Sequence, residues 1–91
     1  MMTFSFEVEQ IATIAYGMPV VLARLLTRGS TLPATMVDWT LGGCPVAQCL
    51  EIPAGLRADG TPRLDLFAFE LRFEEDLGRF SPGLRVVLEE S

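Results

Sequence analysis

The sequence predicts an all-β domain, a sandwich or a barrel of six or so short strands. Apolar and polar residues alternate along it, most plainly at Phe4, Phe6 and Val8 and again at Phe67, Phe69 and Leu71. A two-residue period places the apolar set on one face of a pleated strand. Turn chemistry interrupts the alternation at Gly17-Met18-Pro19, Gly42-Gly43 and Ser81-Pro82-Gly83. Segments punctuated roughly every 10–15 residues in this way are the pattern of sandwiches and small barrels. The chain has 91 residues, 49% of them hydrophobic. A domain of that size buries roughly 60–65% of the surface its unfolded form exposes, enough for one core. Residues 1–91 are therefore read as a single domain.

Taken in order, Phe4, Phe6 and Val8 open the first strand, with Ser5, Glu7 and Glu9 on its other face. Val8, Ile11, Ala12 and Ala15 also fit the i, i+3, i+4, i+7 spacing of a helix, so pattern alone leaves residues 8–15 open between the two. A second apolar run at residues 20–26, interrupted by Arg24, follows the glycine turn and ends before Arg28-Gly29, which makes the first two segments a hairpin. Residues 29–34 read as a turn. Val37, Trp39 and Leu41 then alternate with Met36, Asp38 and Thr40 as a third strand closed by Gly42-Gly43. Residues 46–52 supply a fourth, stopped by Pro53, and residues 54–62 are rich in Gly, Pro and Asp, as an exposed loop requires. In the fifth strand Phe67, Phe69, Leu71 and Phe73 face one way and Ala68, Glu70 and Arg72 the other. Its aromatic face is expected at the heart of the core. Glu74-Glu75-Asp76 reads as a solvated turn, and residues 84–88 as the last strand.

Three of these stretches carry a family resemblance. They are Phe6-Glu7-Val8-Glu9-Gln10-Ile11-Ala12-Thr13-Ile14 as an opening strand, residues 20–29 ending in Arg28-Gly29, and Leu71-Arg72 through Glu75-Asp76-Leu77 to Ser81-Pro82-Gly83-Leu84-Arg85-Val86-Val87-Leu88. Together they resemble the second domain of translational GTPases of the elongation factor Tu type, a small closed β-barrel. The chain departs from the family at Tyr16-Gly17-Met18-Pro19, where the family has a glycine-arginine-glycine turn, and at Pro33-Ala34, where it prefers glycine. The resemblance implies a strand at residues 8–14, with a bulge near Glu9-Gln10 where the apolar phase slips by one. In the family this barrel packs on the nucleotide-binding domain and touches RNA. GTP hydrolysis does not come with it. The phosphate loop needs a Gly-Lys-Ser/Thr and guanine recognition an Asn-Lys pair, and the chain contains neither Lys nor Asn.

Twelve acidic residues against seven arginines leave a net charge of −5. That balance opposes attraction to DNA, to RNA and to anionic lipid surfaces. The most apolar run, residues 11–26, is broken by Thr13, Pro19 and Arg24, so no membrane-spanning helix is expected. Glu7 and Glu9 stand where a secretory signal carries a basic stretch and an apolar run, and a cytoplasmic protein is expected.

Chemistry-bearing constellations are sparse. Cys44 and Cys49, with four residues between them, have no histidine and no second cysteine pair to complete a zinc site. A disulfide across a turn at Pro45 is conceivable, but two buried free thiols are the expectation. Without His or Lys, a Ser, Thr or Cys nucleophile lacks its usual activating base. Asp65 with Glu70, or Glu74 with Asp76, are the carboxylate pairs that general acid–base work would draw on. Their spacing favours a strand end and a solvated face instead. No catalytic residue, cofactor site or metal ligand is assigned, and no cofactor is expected. The expected function is a non-catalytic accessory or regulatory module that binds another protein, a second copy of the chain included. RNA or ribosome contact is the alternative, to be favoured by a cluster of Arg57, Arg63, Arg72, Arg79 and Arg85 on one face. Partner contacts are expected at Arg24, Trp39, Glu74, Glu75, Asp76 and Arg79, although Trp39 with Val37 and Leu41 on its face also suits the core.

Overall fold

In the computed structural model, residues 3–14, 18–27, 32–33, 35–52, 59–60 and 65–90 are described. Six antiparallel strands close into a barrel in the order β1-β2-β5-β4-β3-β6. They are β1 (Thr3–Ile14), β2 (Met18–Leu25), β3 (Trp39–Leu41), β4 (Cys44–Glu51), β5 (Leu66–Leu71) and β6 (Arg85–Glu90), with a 3₁₀ helix (Glu74–Arg79) between β5 and β6. The closed barrel settles the choice between sandwich and barrel, and residues 8–14 are strand. Closure comes from the pairing of β1 with β6, Phe4 opposite Leu88 and Phe6 opposite Val86. Every strand thereby has two neighbours, although β6 pairs with β1 only over residues 3–7 and β3 with β4 only at Cys44 and Pro45, so the later parts of β1 and β4 are laddered on one side among the described residues.

The alternation in β1 does what its period demands. Phe4, Phe6 and Val8 are buried, and the register against β2 slips between Val8 and Gln10, so that Ile11 rather than Gln10 turns back to the core. The bulge falls at the expected position. It also places both Glu7 and Glu9 on the outside of the barrel beside Arg24, since Glu7 lies directly opposite Arg24 in the ladder. A second bulge, unanticipated from the sequence, sits in β4 between Val46 and Gln48.

The core gathers Phe4, Phe6, Val21, Leu41, Val46, Phe69, Leu71 and Leu88, each at most 1% exposed. Its aromatic centre is Phe6, whose ring meets Phe67 edge-on at a centroid separation of 6.0 Å. Gly42 and Gly43 join β3 to β4 with φ of 58° and 86°. Two consecutive left-handed residues between the paired Leu41 and Cys44 are the mark of a type I′ hairpin, whose twist matches that of its strands.

Several expected details are corrected. The third strand starts at Trp39, not Val37. Val37 and Asp38 form a turn, with Asp38 at φ 65° and the Trp39 N–H donating to the Met36 carbonyl at 3.1 Å. Met36 is therefore buried and Val37 is 63% exposed, the reverse of the alternation. β5 ends at Leu71, and Phe73, expected in the core, is 51% exposed. The chain leaves the sheet at Arg72 to enter the 3₁₀ helix, which replaces the expected turn at Glu74-Glu75-Asp76. β4 begins at Cys44 rather than Val46, and the last strand runs from Arg85 to Glu90. The expected loop at residues 54–62, apart from exposed Asp59 and Gly60, lies outside the described residues, as do Arg28-Gly29 and most of the turn at residues 29–34.

Candidate functional site

An antiparallel strand in a small barrel normally turns apolar residues inward and polar ones to water. β2 and β5 do not. Val21 and Ala23 fill the core from β2, yet Val20 and Leu22 on its other face are apolar too; Phe69 and Leu71 point inward from β5 while Leu66 and Ala68 take the opposite face, Val20 and Leu66 each only 8% exposed and Leu22 and Ala68 half-buried. The ladders bring these residues into two adjacent rows across four strands. One row runs Ala12, Val20, Glu70, Gln48 and the next Gln10, Leu22, Ala68, Leu50, from β1 through β2 and β5 to β4. Between them lies a groove of about 300 Å³ that also takes in Ile52. The Ile52 N–H donates to the Leu66 carbonyl at 2.9 Å and continues the β4–β5 ladder beyond the end of β4. Leu50, 53% exposed, stands at the rim. On its other side a second hollow of about 340 Å³ runs past Cys49, Ala47 and Val37.

Polar groups frame this face. Gln48 Nε2 donates to Glu70 Oε2 at 2.7 Å across the β4–β5 ladder. Two residues beyond Leu22, Arg24 Nη2 donates to Glu7 Oε2 at 3.2 Å, and Arg24 Nε lies 3.9 Å from Glu9 Oε2 without a hydrogen-bond partner though shielded from water. Arg85 Nε approaches the other Glu7 oxygen at 3.8 Å.

The expectation of two buried free thiols holds for Cys44 and only in part for Cys49. Both are free, Cys44 buried and Cys49 half-buried. Pro45 makes no turn; it lies inside β4 opposite Thr40. Five residues of extended chain hold the cysteines about 16 Å apart, beyond any disulfide. Burial pushes the Cys49 thiol up to about 12 and raises that of Cys44, to which nearby Asp76 adds while Arg79 opposes. Both are protonated at neutral pH, the less nucleophilic form.

Of the expected partner contacts, Arg24 stands beside the apolar groove and is held by Glu7 and Glu9. Trp39 is buried, its ring 5.9 Å from that of Phe4. Glu74, Glu75 and Arg79 are exposed and Asp76 half-buried, all on the 3₁₀ helix. Asp65 stands just before β5: its carbonyl accepts from the Leu25 N–H at 2.8 Å, and four residues of strand separate it from Glu70. Among the arginines weighed for RNA contact, Arg57 and Arg63 lie outside the described residues. Arg72 donates from Nε to the Val46 carbonyl and Arg85 faces Glu7, on different parts of the surface ladder. Residues Val20, Leu22, Ala68 and Leu50 were missed as a site. Their signal was in the sequence, since residues 20–23 and 66–69 are apolar without alternation, the pattern of strands covered on both faces.

No group of three or more metal-ligating side chains occurs among the described residues, and no helix among them is long and apolar enough to cross a membrane. No family model, curated protein or solved structure matches the chain.

Proposed function

We propose that the chain is a non-catalytic protein-binding module on a translation-factor-type barrel, docking a partner protein on the outer face of β1, β2, β5 and β4. The observation that carries this reading is the apolar part of the two rows, Ala12, Val20, Leu22, Ala68 and Leu50, which lines the groove. An apolar outer face on a barrel whose core is already filled gains free energy only when a further surface covers it. The translation-factor type is supported by the bulge in β1 next to Glu9 and by the closed antiparallel order, with β6 returning to β1.

The test is recovery of partners from the source cell's lysate on tagged wild type and on Leu50→Asp, each with and without nuclease. One stoichiometric protein, retained after nuclease and lost on Leu50→Asp, is the expected result. Recovery of ribosomal or tRNA-linked species that disappears with nuclease would replace this reading with RNA contact.

A further inference from the structure

Among the described residues along β1 and β5, Glu7 and Glu9 are matched by cations and Glu70 is not. Glu7 has Arg24 and Arg85 within ion-pair range, and Glu9 has Arg24. Glu70, in the wall of the apolar groove, is held by the neutral amide of Gln48 alone, and no arginine among the described residues reaches it. A carboxylate half-enclosed by Val20, Leu22 and Ala68 is a point of fixed negative charge in an apolar setting, where an incoming cation gains more than on an open surface.

We propose that the occupant of this groove is a segment of a partner protein in which an aliphatic or aromatic side chain is flanked by Lys or Arg. The apolar side chain seats among Val20, Leu22, Ala68 and Leu50, and the cation pairs with Glu70. The proposal rests on the protein-binding reading and names the chemistry of the partner. At about 300 Å³ the groove is at the small end of ligand pockets, suited to one or two side chains. A second copy of the chain is a poor occupant. A two-fold contact is built from the same patch on both subunits, so it would set Glu70 against the groove that holds the other Glu70, between molecules each carrying −5. Polyanions meet the same repulsion.

A random dodecapeptide phage library is selected on the immobilised full chain, with Leu50→Asp for counter-selection. Leu50 is exposed, so its replacement leaves the core intact, which circular dichroism verifies. The selected peptides are then titrated by fluorescence anisotropy against wild type and Glu70→Gln. Expected are peptides pairing an apolar residue with Lys or Arg, whose affinity falls about fivefold on Glu70→Gln. Binding to wild type weakens with added salt, and binding to the variant much less. Peptides that need Leu50 but bind Glu70→Gln equally well overturn the cationic flank and leave the protein-binding face standing. Failure to enrich any Leu50-dependent peptide overturns both. A Leu50-dependent dimer in sedimentation equilibrium would make the occupant a second copy and overturn the partner assigned here.

Discussion

Phe6 of β1 and Phe69 of β5 meet edge to face, their ring centroids 4.9 Å apart and their planes at 86°. Neither ring is exposed, and the strands that carry them are not neighbours, with β2 between them. The contact therefore ties together two walls of the barrel that no backbone hydrogen bond joins directly. Offset and edge-to-face aromatic pairs contribute about 0.5–1.5 kcal/mol beyond the area they bury.

Phe69→Ala is expected to cost about 3–5 kcal/mol, the range for a fully buried phenylalanine, against less than about 0.5 kcal/mol for the exposed Phe73→Ala. The two lie four residues apart in the same alternating run, so urea denaturation of both separates burial from pattern. Equal losses would contradict the end of β5 at Leu71.

The hairpin glycines give a second contrast. Gly42 and Gly43 both have positive φ, but a Cβ on Gly42 would come within 3.2 Å of Val86 Cγ1, whereas one on Gly43 meets nothing within 4 Å. Gly43→Ala is expected to cost about 1 kcal/mol from backbone strain alone, and Gly42→Ala more. Thermal unfolding of the two variants measures the difference, and a smaller loss at Gly42 would contradict the packing against Val86.

Stability should fall at alkaline pH. Cys49 ionises near 9.0 when unfolded and near 12 when folded, so the unfolded state releases its proton first. The folded state's advantage is complete below pH 9 and declines as pH rises from there through 12. Cys49→Ala is expected to flatten that decline in urea titrations at stepped pH, leaving the smaller contribution of Cys44. A thiol-reactive dye at pH 8 should label neither cysteine until the chain is unfolded.

Arg24→Met is expected to change stability by less than about 1 kcal/mol, because partly exposed ion pairs contribute little and the methionine retains the apolar stem. Its effect should shrink further in high salt. A loss above about 2 kcal/mol, measured by urea denaturation, would show that the Glu7–Arg24–Glu9 group holds β1 to β2 more firmly than its exposure implies.

Much of the fold was legible in the sequence because burial in β1 and β6 is one-sided. Phe4, Phe6 and Val8 alternate cleanly, and even the bulge at Glu9 declared itself as a slip in the apolar phase. Alternation failed at Val37 and Phe73 for a common reason: a period states which residues share a face but not where the strand stops. Asp38 in a left-handed turn and the 3₁₀ helix after Phe73 each break the sheet inside an unbroken pattern. The groove was legible only in part, as apolar runs without alternation. Val20-Val21-Leu22-Ala23 reads as one apolar run, and only the register shows that Val20 and Leu22 leave the core and line up with Ala68 and Leu50.

The seam between β1 and β6 sets the timetable of biosynthesis. Thr3 pairs with Glu89 and Phe4 with Leu88, so β1 must wait for about eighty further residues to be made before its partner β6 exists. At roughly 5–20 residues per second, about eighty residues of waiting last roughly 4–16 s. Through that interval the nascent chain holds Phe4 and Phe6 beside an unsatisfied strand margin, the combination that general chaperones at the exit tunnel are suited to shelter.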